Sequence, residues 1–376
     1  MLKKITWLAC ATLLCALLIA LPAAQTALAS STGTDVAKIG DNTYATLQDA
    51  VNAVTDSTPT TITLLRDAAG DGVQVVSGRS ITFDLADYTY DIDGTTVGST
   101  GTETNGFQLS RDSAVTFKNG KITSSVAKIL IQNYCNLTLE NVVLDGTNLA
   151  DTTPYTLSLN NGKVNITGNT SILAKNGGVA FDLFYWPSNG YTDGVQLTVN
   201  TTGIISGPIE LTADKQGGPA GAAEHNKLNI LNINHEGTIR NVLGNYDTDV
   251  VSISGGTFAY APTKYTVDTV VSSGNDFYVG AQADAVLRNP NTKEVTVRQA
   301  NGPLTVAGGI KVTNRTGSTI TVNGNSLNAN DTIVIHTSST PPKTGDSAHP
   351  LLWSVLLLTA LLGAGLLCTG LRKRFR

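Results

Sequence analysis

Between about residues 60 and 260 the chain returns again and again to one short phrase, which restricts the fold more than any other feature. Two apolar residues alternate with small polar ones, an Asn or Gly follows, and another short apolar strand begins. The phrase reads Val115-Thr116-Phe117-Lys118-Asn119-Gly120-Lys121-Ile122 and Leu137-Thr138-Leu139-Glu140-Asn141-Val142-Val143-Leu144. It recurs as Val164-Asn165-Ile166 before Gly168, Leu197-Thr198-Val199 before Asn200, Leu228-Asn229-Ile230 before Asn232, and Val251-Ser252-Ile253 before Gly255. From one first apolar residue to the next, the steps are 22, 27, 33, 31 and 23 residues. Period-2 alternation turns one side of each strand inward, and the Asn and Gly positions bend the chain onto a new face. Such an irregular repeat predicts an all-β fold, a right-handed parallel β-helix in which each coil buries its apolar face only against its neighbours. The uneven steps then mark extra loop residues, the longest between Phe181 and Leu197 and between Leu211 and Leu228. An antiparallel sandwich or a string of immunoglobulin-like domains ranks second, because those folds favour aromatic core anchors and aromatic residues make up only 6% of the chain.

One short helix fits the coil stack. Thr46-Leu47-Gln48-Asp49 is similar to a capping box, and Leu47, Ala50, Val51 and Val54 share a face that would cover the open end of the first coil. An uncovered end exposes strand edges and invites end-to-end association. The stretches Ala45 to Val51, Thr61-Ile62-Thr63-Leu64-Leu65-Arg66-Asp67 and Ile81-Thr82-Phe83-Asp84-Leu85 together resemble the opening of pectin-lyase-like β-helix surface proteins. The resemblance covers roughly residues 40 to 280 and carries no catalytic motif. The β-helix is accordingly expected over 36–280. Five short strands follow, at 295–297, 304–306, 310–312, 320–322 and 333–335, with Asn301-Gly302, Gly308-Gly309 and Asn323-Gly324 between them. They predict a small antiparallel, sandwich-like β-domain over 283–337.

The two ends of the sequence predict an address. Pro342-Lys343-Thr344-Gly345 is followed by an uncharged run from Leu351 to Leu371 and then by Arg372-Lys373-Arg374-Phe375-Arg376. Those twenty-one residues would make roughly 31 Å of helix at ~1.5 Å per residue, enough to cross a bilayer core. The basic residues 372–376 would stay in the cytoplasm. This order resembles the sorting signal of Gram-positive surface proteins, which a sortase cuts and joins to peptidoglycan. The family pattern is Leu-Pro-x-Thr-Gly; here Pro341 stands in the first place, which bears on the sortase class. The resemblance implies cleavage after Thr344, with 338–345 as linker and motif and membrane contact only through the 351–371 helix before sorting. At the other end Lys3 and Lys4 precede an uncharged run from Ile5 to Leu21, and Ala27 and Ala29 supply the small residues of a signal-peptidase site, so 1–29 reads as a signal peptide.

The expected mature chain is acidic. Removing Lys3, Lys4 and the four basic residues of the tail leaves 19 of 25 Lys and Arg, and removing Asp346 leaves 28 of 29 Asp and Glu, a net charge of −9. That balance argues against nucleic acid as a partner. Cys135 is the one cysteine left, so no intramolecular disulfide is expected.

Residues that carry chemistry are scattered. Asp91 and Asp93 lie on one side of a strand and are candidates for calcium, the one cofactor the sequence suggests; the alternative is a solvated strand face. Asp247 and Asp249 share that spacing, and Glu224-His225 and His235-Glu236 lie eleven residues apart, which makes Asp247, Asp249, Glu224 and Glu236 the candidates for catalysis. Phe184, Tyr185, Trp186 and Tyr191 fall within eight residues of a predicted long loop, a candidate platform for a sugar ring or a protein partner. The alternative is a loop folded back over the coils with Trp186. The preferred reading is a wall-anchored, non-catalytic adhesin or stalk for a host or community glycan or protein. A surface polysaccharide lyase or glycoside hydrolase is second, and a structural wall spacer third.

Overall fold

A computed structural model describes residues 34–337. The expected signal peptide with Ala27 and Ala29, the motif Pro342 to Gly345, the membrane span and the basic tail lie outside the described residues. Within them the chain is mostly strand, arranged in sheets of nineteen, eight and two strands.

Coils stack because each apolar position of the phrase meets its equivalent one turn later. Val115, Leu137, Val164, Leu197, Leu228 and Val251 form one in-register column of parallel strands. Two residues further on, Ile62, Phe83, Phe117, Leu139, Ile166, Val199, Ile230 and Ile253 form a second. All are buried, and each such side chain contributes about 1.5–3 kcal/mol by leaving water. Phe83 and Phe117 stack at 4.8 Å, and Phe107 meets both edge-on from the eight-stranded sheet, at 5.8 and 5.0 Å. The core therefore lies between the two sheets, as expected of a β-helix-like stack.

The Asn and Gly of the phrase form the corner of the larger sheet. In the strand Ala114–Ser124 the first half pairs with Ser80–Asp84 and the second with Thr89–Ile92. The bend falls at Asn119, with φ of 55°, and Asn141 repeats it one coil later at 53°. These conformations suit Asn because its side chain bonds locally. Asn119 donates to Asp84 at 3.2 Å, and the backbone N–H of Asn169 donates to Asn141 Oδ1 at 2.9 Å, so the corner is also stitched from coil to coil. At Gly168 a Cβ would collide with that Asn141 side chain, which is why glycine takes over there.

Both ends of the stack are covered. The helix Leu47–Ala53, capped by Thr46 accepting from the Asp49 N–H at 3.0 Å, buries Leu47, Ala50 and Val51. Its Gln48 side chain donates to the Gln74 carbonyl and accepts the Gln74 N–H, so the first edge of the eight-stranded sheet has a partner. At the far end Asp276–Val279 pairs antiparallel with Gly256–Phe258 and with Val270–Ser273, which in turn pairs antiparallel with Glu294–Gln299.

Three expectations change. The strand pairing runs across the boundary expected near 280, because Val270–Ser273 hydrogen-bonds to Glu294–Gln299 and Val271 joins the core of Val295, Val297, Ile310 and Val312. The following unit is mixed, not antiparallel: Glu294–Gln299 and Lys311–Asn314 run parallel, and Lys311–Asn314 pairs antiparallel with Thr332–Val334. Short strand patterns fix which side is apolar but not the direction of the partner. Helices also appear at Gly218–His225, Asp247–Val250 and Ala281–Arg288. The first occupies the predicted insertion before Leu228, and the third buries Ala283 and Leu287, four residues apart on one face.

Candidate functional site

The outer face of the eight-stranded sheet carries a polar row. Gln74, Gln108, Gln132, Ser158, Asp182, Glu210 and Arg240 face one another in register on successive parallel strands. Strands stand about 4.8 Å apart, so each coil adds one polar group at that interval. Two residues further along each coil come Tyr134, Asn160, Phe184, Thr212 and Val242. Together with Tyr155 and Trp186 these side chains line a cleft of about 360 Å³.

Two carboxyls sit side by side on its floor. Asp182 is 5% exposed and accepts the Leu159 N–H at 2.9 Å. Burial pushes its carboxyl up to about 7, the Leu159 and Ser158 hydrogen bonds oppose that, and the neighbouring Glu210 adds to it. Glu210 accepts from the Tyr155 hydroxyl at 3.2 Å and from Arg240 Nη1 at 3.2 Å. The Gln132 amide donates to Ser158 at 3.2 Å and also to Asn160. One coil earlier in the row, the buried Gln108 Oε1 has no partner among the described residues.

An aromatic wall closes one side. The Trp186 ring lies 5.9 Å from Phe184, 6.0 Å from Tyr191 and 6.2 Å from Tyr134, and Tyr134 stacks on Tyr191 at 4.8 Å. Arg111 covers Tyr191 at 4.7 Å from the ring centre. All four rings are half-buried. The predicted loop thus supplies three of its four aromatics and leans on Tyr134, two coils earlier. Tyr185 is the exception: it is buried and stacks on His225 at 4.9 Å under the helix Gly218–His225. Alternation explains this, since Phe181, Leu183 and Tyr185 point inward and Asp182, Phe184 and Trp186 outward.

The other sequence candidates lie elsewhere. Asp247 is buried and accepts from Lys264 Nζ at 2.5 Å and from the Tyr265 hydroxyl at 2.7 Å. Burial would raise its carboxyl, but these two donors outweigh it and hold the group below the usual range. It fastens the short helix Asp247–Val250 to the turn Thr263–Tyr265, whereas Asp249 is exposed. Glu224 and Glu236 are also exposed. His235 points inward: its Nε2 lies 3.0 Å from the Gly207 carbonyl, it packs edge-on to Phe258 and Tyr260, and burial pushes it down to about 4. His225 and His235 share no partner among these contacts. Asp91 and Asp93 flank buried Ile92 on the solvent side of their strand. Among the described residues no group of three His, Cys, Asp or Glu is placed to hold a metal ion. Cys135 is buried, and burial pushes its thiol up to about 12.

Comparison of the chain with protein-family models, curated proteins and solved structures gives no match.

Proposed function

We propose that the protein is an exported surface protein of a Gram-positive bacterium, joined to peptidoglycan by a sortase at Thr344, and that its right-handed, pectin-lyase-like β-helix presents the cleft beside Trp186 to a glycan. The observation that carries the glycan reading is the half-buried aromatic wall of Tyr134, Phe184, Trp186 and Tyr191 set against a row of hydrogen-bonding side chains. Sugars offer an apolar ring face and a rim of hydroxyls, and a cleft with one aromatic side and one polar floor matches both. The address rests on the sequence alone, on the motif Pro342 to Gly345, the span 351–371 and the basic tail.

A hydrolase is the second reading, favoured by one observation: Asp182 and Glu210 face each other on adjacent strands of the cleft floor. A glycan array read for both retention and released sugar separates the two. Retention without release, lost in Trp186→Ala, supports the adhesin; release of sugar supports the enzyme; retention unchanged in Trp186→Ala sinks the assignment of the cleft.

A further inference from the structure

The charge of the cleft selects among glycans. Its described lining includes Asp182 and Glu210 but no Lys or Arg. The cation nearest in the row, Arg240, is already bonded to Glu210 at 3.2 Å. Arg111 lies over Tyr191 and donates to the Asn189 carbonyl at 3.4 Å, which ties it to the loop. A uronate, sialic acid or sulfate entering here would bring its charge beside two carboxyls with no free cation to receive it. The neutral groups of the floor, Gln132, Ser158, Asn160, Thr212 and the Tyr155 hydroxyl, instead offer the donors and acceptors that sugar hydroxyls need.

We infer that the cleft takes an uncharged saccharide and turns away chains that carry carboxylate or sulfate groups. This rests on the glycan reading of the same cleft. Protonation follows from it. Asp182 is faced by Ser158 and Tyr155 from the preceding coil, by Glu210 from the following one, by Arg240 beyond that and by Tyr134 at the rim. The Tyr134 and Tyr155 phenols are each pushed up to about 12, so they stay neutral through the physiological range. A sugar laid over Asp182 removes it further from water and favours the uncharged carboxyl. Affinity for the uncharged saccharide is therefore flat in mild acid and falls above the value near 7 at which Asp182 ionises.

The test uses the full chain in detergent on one array of paired probes: galacto-oligosaccharides against oligogalacturonates, and lactose-terminated chains with and without sialic acid. The expected result is retention of the neutral member and on the order of tenfold weaker retention of its charged partner, the size of one like-charge contact at a partly hydrated surface. Glu210→Gln recovers most of that loss. Wild-type retention of the neutral member falls between pH 6 and pH 8; if Glu210→Gln does not fold, the neutral-against-charged comparison in the wild type decides the question on its own. Equal or tighter retention of the charged members overturns the inference and leaves glycan binding standing. Retention of no member of any pair removes both.

Discussion

Replacing Asp182 by Asn keeps the shape of the side chain and the acceptor for the Leu159 N–H, but removes one titrating carboxyl from an almost fully buried position. In the unfolded chain this carboxyl loses its proton near 3.8; in the folded protein burial delays that to about 7. Between those values the folded state holds a proton that the unfolded state has released, so wild-type stability falls as pH rises through the window. At 1.36 kcal/mol per pH unit the difference accumulates to about 4 kcal/mol by pH 8. Urea unfolding of wild type and Asp182→Asn at pH 4, 6 and 8 reads it directly, and the buried His235, present in both proteins, cancels in the difference. The two proteins are expected to be about equally stable at pH 4 and the variant to be the more stable at pH 8. Parallel curves would refute the reasoning. A wild type that gains on the variant as pH rises would refute it too, because that would make Asp182 an ion-paired carboxylate.

Three other outcomes follow from the packing. Phe117→Ala removes a fully buried ring from the stack with Phe83 and Phe107 and is expected to cost about 3–5 kcal/mol in urea unfolding, against about 1 kcal/mol for Phe184→Ala on the outer face. His235 is held neutral down to about 4, while an unfolded histidine takes up its proton near 6.5. Wild type therefore loses about 3 kcal/mol between those values as pH falls, a loss that His235→Gln should not show in pH-dependent melts. Asp247→Ala is expected to cost about 3 kcal/mol by thermal melting, at the low end for a broken buried pair because half-exposed Lys264 can turn to water.

The coil stack was legible because its physics is one-dimensional. The residues picked out by the repeat, Val115, Leu137, Val164, Leu197, Leu228 and Val251, fall in a single in-register column, since burial fixes the parity of every strand. The aromatic loop was legible as a cluster, but Tyr185 does not join the platform, because the strand Val179–Tyr185 continues into the expected loop and its alternation turns Tyr185 inward. Asp182, Glu210 and Tyr134 were missed for a different reason. Asp182 and Glu210 each stand alone among apolar residues and Tyr134 lies between Asn133 and Cys135, so no local pattern marks them, and only the register of the eight-stranded sheet sets the two carboxyls side by side. Asp247 looked like half of a carboxylate pair because spacing cannot reveal that a lysine seventeen residues later closes over it.

Trp186 gives the most direct test that the cleft binds glycan. The chain has three tryptophans, Trp7, Trp186 and Trp353, so in a full chain carrying Trp7→Phe and Trp353→Phe the indole emission comes from the cleft wall alone. Titrating that protein with the neutral galacto-oligosaccharides should shift the emission saturably, with the same Kd as retention on the array. Retention that leaves the Trp186 emission unchanged at saturation would place the ligand elsewhere and contradict the account.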